Sequence, residues 1–355
     1  MRKTNGSLNI KVVSIFLVIM LIMPFVMFGC DIINNGSDEK VGQNDNKVET
    51  DSENDNQTEN NGAGDSNGED LPDGETAGDS ENNNSTVYVR CDKYGNEKAD
   101  GDYILFGEYP QSIKADNVTI TDTKDDRGYY LGSDGFYYAM LKATPCTSYY
   151  TFTTGAEIDG GAIYYFKVEP IRWRILSEEN GEAFLLCDSI IANQIFDDDS
   201  NNYAESNIRA WLNSVFYETA FDGAESMLIL TTEVDNSAKS TNPYGNEKHW
   251  NNGVNKYACE NTNDKIFLLS EEEATNSTYG FKMYEGDSAR IMLTSDYSRA
   301  TGAYMNDSGI GWWWLRSPYH YGSKNARGII DNGDIQIISV QGPREGVVPA
   351  LKIEL

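Results

Sequence analysis

Ile163-Tyr164-Tyr165-Phe166-Lys167-Val168, Glu169-Pro170, Ile171-Arg172-Trp173-Arg174-Ile175-Leu176, a turn at Asn180-Gly181, and Ala183-Phe184-Leu185-Leu186-Cys187 together decide the fold class. Aromatic and β-branched residues come in short runs bounded by Pro and Gly, the signature of strands. Pro170 is read as parting the first two runs, and Asn180-Gly181 as turning the second back into the third. The same grammar extends outward. Tyr103-Ile104-Leu105-Phe106 is a strand closed by Gly107. Residues 128–131 and 136–139 flank Gly132-Ser133-Asp134-Gly135, a hairpin signal. Trp312 to Leu315 is an aromatic strand, and residues 327–330 and 334–338 sit either side of Asn332-Gly333. Residues 347–355 close the chain as an alternating strand after Pro349.

Two stretches break from this pattern. Ile208, Trp211, Leu212, Val215 and Phe216 follow the spacing of a buried helix face, with Ser206 as N-cap. Ser270 and Glu273 form a capping box after the apolar strand 266–269, which predicts a second helix. The expected class is α+β, with short, mostly antiparallel strands and two main helices. No fixed-period repeat is present.

The ends of the chain are of another kind. Arg2, Lys3 and Lys11 precede an apolar run from Val12 to Phe28 and then Gly29-Cys30. A charged start, an apolar stretch and a small residue at the cut describe a secretory signal peptide over residues 1–30. The run is also long enough for an uncleaved membrane anchor. Gly29-Cys30 resembles the bacterial lipobox, although Met27 and Phe28 stand where Leu and a small residue are usual. That resemblance implies a diacylglyceryl thioether on Cys30 and a lipid anchor on the extracellular face of the cell membrane. Residues 31–86 are mostly Asn, Asp, Glu, Gly and Ser, with 16 acidic side chains, 2 lysines and no aromatics. Such a segment buries too little apolar surface to offset the entropy of ordering, so a disordered, self-repelling tether is expected. From Val87 the composition returns to that of a folded domain, expected to run as one unit over 87–355.

Charge excludes one class of function. The net charge is −28, half of it in the tether, and a field of that sign repels polyanionic nucleic acid. The two imidazoles, His249 and His320, lie in loop-like sequence and are read as exposed residues. From Val87 onward no Gly-x-Ser-x-Gly elbow and no His-Glu-x-x-His, phosphate-loop or dinucleotide-binding pattern occurs, so no cofactor or metal is expected. Asp197, Asp199 and Asn201 have the spacing of the first calcium-loop ligands, but Asn202 and Ile208 stand where Gly and Glu are needed. With Cys30 lipidated, Cys91, Cys146, Cys187 and Cys259 remain, and three disulfide connectivities are open. Cys187, on an apolar strand, reads as a small buried residue.

Six motifs carry a resemblance. They are Gly101-Asp102-Tyr103-Ile104-Leu105-Phe106-Gly107, Pro170-Ile171-Arg172-Trp173-Arg174-Ile175-Leu176, Ser206-Asn207-Ile208-Arg209-Ala210-Trp211-Leu212-Asn213, Ile266-Phe267-Leu268-Leu269-Ser270, Trp313-Trp314-Leu315-Arg316-Ser317-Pro318 and Gly346-Val347-Val348-Pro349-Ala350-Leu351. Their order resembles an uncharacterised domain family of exported Gram-positive bacterial proteins, over roughly residues 90–355. The order of elements is also similar to the C-type-lectin-like fold of formylglycine-generating and sulfatase-modifying proteins. The copper-binding cysteine pair of those enzymes has no counterpart here.

The functional expectation is a non-enzymatic, lectin-like surface module for glycan or protein ligands. Trp312 and Trp314 are expected on one strand face with Trp313 on the other. Trp312, Trp314, Arg316, Tyr319 and Tyr321 are the candidate ligand contacts. Arg316 has a second reading, as half of a buried pair fixing the loop. The rivals are a cell-envelope hydrolase with paired carboxylates and a structural surface protein.

Overall fold

The computed structural model describes residues 87–241, 255–283 and 286–355; the signal region with Cys30, the tether and His249 lie outside the described residues. The described chain is a β-rich mixture of strands with few helices, and nearly every ladder is antiparallel. In chain order the strands are β1 (Val89–Cys91), β2 (Tyr103–Ile113), β3 (Ile120–Lys124), β4 (Tyr130–Gly132), β5 (Tyr137–Lys142), β6 (Ile163–Glu179), β7 (Glu182–Cys187) and β8 (Ala192–Asn193). They continue as β9 (Thr232–Val234), β10 (Thr262–Asp264), β11 (Ile266–Phe267), β12 (Trp313–Pro318), β13 (Asn325–Ile329), β14 (Ile335–Ser339), β15 (Gly346–Val347) and β16 (Ala350–Glu354).

β6 is the spine of the larger sheet. β2 lies along one edge of it, from Tyr103 opposite Arg174 to Ile113 opposite Phe166. Phe166 also faces Ala139 of β5, and Trp173, opposite Ile104 of β2, also faces Cys187 of β7. β5 and β7 therefore share the edge away from β2, one after the other. The two apolar runs expected as separate strands are one strand, because Pro170 falls where only the β2 edge is paired. Proline lacks an N–H, and a strand flanked on both sides has a ladder bond to lose there. Here β2 shifts register around the same point, between Leu105 and Glu108. Asn180 (φ 56°) and Gly181 (φ 81°) make the tight β6–β7 turn, where a left-handed backbone favours Gly and Asn.

The smaller sheet runs β14-β13-β12-β15-β8. β15 is parallel to β12, while β16 pairs antiparallel with β7 in the larger sheet. The closing strand expected from the sequence is thus two strands in two sheets, divided at Val348-Pro349. The main core fills the space between these sheets and a helical segment over residues 207–220. Ser206 caps that segment, its hydroxyl accepting from the Arg209 N–H. Ile208, Leu212 and Phe216 are fully buried, as expected, but Val215 is 56% exposed. The cause is a π-helical stretch, Leu212–Phe216, which adds a residue to the turn. Buried positions then recur every fourth residue through Ala220. Truncating Phe216 to Ala would cost about 3–5 kcal/mol.

The second expected helix does not form. Its capping box does: the Ser270 N–H donates to Glu273 Oε2 (2.8 Å), and the Glu273 N–H to Ser270 Oγ (3.2 Å). Only a 3-10 turn, Glu273–Thr275, follows. Thr275 Oγ1 turns back to the Glu271 carbonyl, and Asn276 caps a new turn through the Thr278 N–H. Short polar side chains that bond nearby backbone compete with helix propagation. A smaller core, including Tyr150, Phe152, Phe166 and Ala300, lies under β5 and the first half of β6. Asp296 ties it to β2: Oδ1 accepts from the Thr153 N–H (2.7 Å), and Oδ2 from the Ile113 N–H (3.0 Å) and Thr153 Oγ1 (2.8 Å). None of Cys91, Cys146, Cys187 and Cys259 is in a disulfide; Cys91 and Cys187 are wholly buried. Among the described residues no helix is long and apolar enough to cross a membrane.

Candidate functional site

Strand β12 leads to the site. It lies between β13 and β15 and is buried along its whole length. Trp313 donates its indole N–H to the Arg290 carbonyl (3.0 Å). Trp314 donates to the Gln194 carbonyl (2.9 Å) and meets the Phe196 ring edge-on at 5.5 Å. Both are 0% exposed, so Trp314 has no face to offer a ligand. Trp312 precedes the strand, half-buried, with its ring 4.5 Å from that of Tyr304. The pairing of Trp312 with Trp314 as one exposed surface is therefore corrected: both faces of a central strand are covered.

Arg316 is also corrected as a ligand contact. It is 1% exposed, and both of its terminal nitrogens are engaged inside the fold. Nη1 reaches Glu273 Oε2 (2.5 Å) and donates to the Leu268 carbonyl (2.6 Å), while Nη2 reaches Glu273 Oε1 (3.1 Å) and the Asp235 carbonyl (3.2 Å). A planar fork matched to a carboxylate suits this place, and the guanidinium stays charged even when buried. Arg316 is the buried pair that fixes the capping-box turn.

Tyr319 and Tyr321 come together just beyond the strand. Tyr319, His320 and Tyr321 form an aromatic shelf, with centroid separations of 4.7 Å (Tyr319–His320), 4.0 Å (His320–Tyr321) and 5.6 Å (Tyr319–Tyr321). Tyr321 is 58% exposed; His320, expected at the surface, is buried. Desolvation, and next the charge of Arg327, lower the imidazole to about 4, so it is neutral at physiological pH. The Arg327 guanidinium lies 5.6 Å from the Tyr319 ring centre and pairs with Glu271 (3.3 Å). Burial raises the Glu271 carboxyl, against the pull of Arg327.

The shelf is held from behind by two buried amides. Asn201 Nδ2 donates to the carbonyls of Asn325 (2.7 Å), Gly322 (2.8 Å) and Tyr319 (3.3 Å). Asn255 Nδ2 donates to the Pro318 carbonyl (2.9 Å). Asn201 thus holds the loop. Asp197 Oδ1 accepts from the Asp199 and Ser200 N–H groups, and Oδ2 from that of Asn207. Among the described residues no group of three His, Cys, Asp or Glu is placed to hold a metal. Sequence reasoning missed Glu271, Arg327 and Asn255 altogether. Asn201 was noted for its spacing and read as part of a polar loop; its hold on residues 319–325 was not foreseen.

A second place is a recess of about 330 Å³ where β2 passes the Pro170 region of β6. Leu105, Gln111, Glu169, Pro170, Arg172 and Asp188 line it, with Tyr94 at the rim. Arg172 Nε and Nη2 both donate to Asp188 Oδ2, at 2.9 and 2.6 Å. Burial raises the Asp188 carboxyl, and Arg172 opposes the rise. Glu169 Oε2 accepts from the Ser112 N–H at 3.1 Å. The adjoining Cys187 thiol is pushed up to about 12 by burial, which removes it as a nucleophile. The shelf offers stacking surface beside polar groups, and the recess offers two carboxylates and a guanidinium.

No curated protein and no solved structure matches the chain. A family model does match, over the region that holds the helical segment, the capping-box turn, β12, the aromatic shelf and the closing strands. Two of the six motifs, Gly101 to Gly107 and Pro170 to Leu176, lie outside it. Residues 180–355 match a domain of unknown function, DUF6273.

Proposed function

We propose that this chain is a surface binding module with a lectin-like scaffold, anchored through a lipid on Cys30 and carried on the acidic segment 31–86. It is non-enzymatic and contacts a glycan or protein ligand through Tyr319 and Tyr321. One observation carries the reading: an exposed tyrosine, Tyr321, stands on a ring cluster whose backbone is pinned by Asn201. Rigid aromatic residues give large contact area at low entropy cost, and polar groups beside them give direction. Arg316 fixes the neighbouring capping-box turn, and Trp314 packs in the core against Phe196.

The test is a glycan and cell-wall array probed with the full-length chain in non-ionic detergent, repeated with Tyr321→Ala and Tyr319→Ala. Binding should fall in both variants while the melting temperature of Tyr321→Ala stays that of the parent. Undiminished binding in both removes the shelf as the site. The recess supports a second reading, a cell-envelope hydrolase, since it holds Glu169 and a desolvated Asp188. Turnover of an arrayed polymer, abolished by Asp188→Asn, would establish that reading over the first.

A further inference from the structure

The outward face of β3-β4-β5-β6 brings several aromatic rings and lysines together. On β5 and β6, Ala139 and Phe166 point toward the smaller core, so their neighbours Met140 and Tyr165 point away from it. Tyr130 of β4 joins them, its ring edge-to-face with that of Tyr165 at 5.7 Å. Phe136, at the hairpin turn, is 50% exposed and Met140 is 49% exposed. An open apolar sheet face of this kind marks a contact surface.

Lysines stand over these rings. Lys124 Nζ is 4.2 Å from the Tyr130 ring centre, and Lys167 Nζ is 3.6 Å from that of Phe136. Lys142 projects from the same face of β5 and is exposed. Among the described residues no carboxylate lies within 4.0 Å of Lys124 or Lys142. Lys167 has Glu169 at 4.0 Å, and Asp134 is engaged by the Tyr138 hydroxyl at 2.6 Å. Asp122 is the acidic residue on β3 itself. Elsewhere acidic side chains dominate a chain of net charge −28, so three ammonium groups beside aromatic rings offset the negative field at this face. Strand spacing makes the face about 14 Å across from β3 to β6 and about 13 Å along from Ile163 to Lys167.

We propose that this face binds an acidic polysaccharide, with sugar C–H faces on the rings of Tyr130, Phe136 and Tyr165 and carboxylate or phosphate groups on Lys124, Lys142 and Lys167. An ammonium held over a ring keeps donors for an anion, and the ring beside it takes the apolar side of the sugar. The extent of the face suits a chain of residues in preference to a single small anion. It uses none of the shelf residues and lies outside residues 180–355, so it stands or falls independently of the function proposed above.

The test is affinity electrophoresis of the full-length chain in non-ionic detergent, through gels holding polygalacturonate, a phosphomannan or neutral dextran. A single-stranded oligonucleotide is a fourth arm. One or both acidic glycan gels should retard the protein, dextran should not, and added salt should relieve the effect. Whichever gel retards it identifies the anion as carboxylate or phosphate. Lys124→Glu with Lys142→Glu should weaken binding about tenfold, at an unchanged melting temperature because both side chains are exposed. Should that pair lower the melting temperature, Lys124→Gln with Lys142→Gln replaces it. Phe136→Ala should weaken binding with the charges intact, and Tyr321→Ala should leave it as in the parent. No retardation in either acidic gel, equal retardation by dextran, or lysine variants that bind like the parent would overturn the proposal. Retardation by the oligonucleotide as strong as by the glycans would assign the face to nucleic acid and equally overturn it.

Discussion

Replacing Arg316 by Ala separates its two readings, ligand contact and structural pair. The side chain is 1% exposed and engages both oxygens of Glu273 and the carbonyls of Leu268 and Asp235. Its removal strands a carboxylate and two carbonyls. Deleting one partner of a buried ion pair costs about 3–5 kcal/mol. The Glu273 side chain is 23% exposed, so water reaches it in part and the low end, about 3 kcal/mol, is expected. For a domain of this size that lowers the melting temperature by roughly 6–12 °C. Arg316→Lys keeps a charge but loses the fork, and should fall between the two. Glu273→Gln still accepts from the Ser270 N–H, and combined with Arg316→Ala it should cost less than the sum of the single changes. The assay is urea denaturation followed by tryptophan fluorescence, alongside binding measurements. An Arg316→Ala protein with parental stability and lost binding would refute the structural assignment and restore Arg316 as a contact.

Three further outcomes follow from the same geometry. His320 titrates near 6.5 when unfolded but at about 4 when folded, so its stabilising contribution is complete above pH 6.5 and lost as pH falls toward 4; the difference in urea stability between parent and His320→Asn should shrink by roughly 3 kcal/mol over that window, and equal pH slopes would contradict this. Asp296→Ala removes the acceptor for two backbone N–H groups, and should cost about 2–4 kcal/mol and speed hydrogen exchange at Thr153 and Ile113; unchanged exchange at both amides would defeat the clamp. Cys30→Ser should abolish acyl labelling and membrane retention, and a variant that still labels and stays in the membrane fraction would remove the lipid anchor from the account.

The sequence alone located turns and helix caps. Alternation and turn residues placed the hairpins at Gly132 to Gly135, Asn180-Gly181 and Asn332-Gly333, because a left-handed turn leaves few choices of residue. Ser206 and the Ser270–Glu273 box were legible as caps for the same reason: a capping hydrogen bond spans three residues and needs no tertiary partner. What lay beyond it were features set by distant contacts. Pro170 reads as a break until β5 and β7 are seen to leave the edge between them unpaired beside it. The spacing of Ile208 and Phe216 says helix, but the π-helical turn that exposes Val215 depends on what the segment packs against. The tryptophans announced themselves by composition, yet whether Trp314 faces water depends on Gln194 and Phe196, far earlier in the chain. Asn201, Asn255, Glu271 and Arg327 converge on the Tyr319–Tyr321 loop from three separate regions, and no spacing links them. A hydrogen bond within a turn is written in adjacent letters; burial and charge pairing across the fold are decided only when the chain has closed on itself.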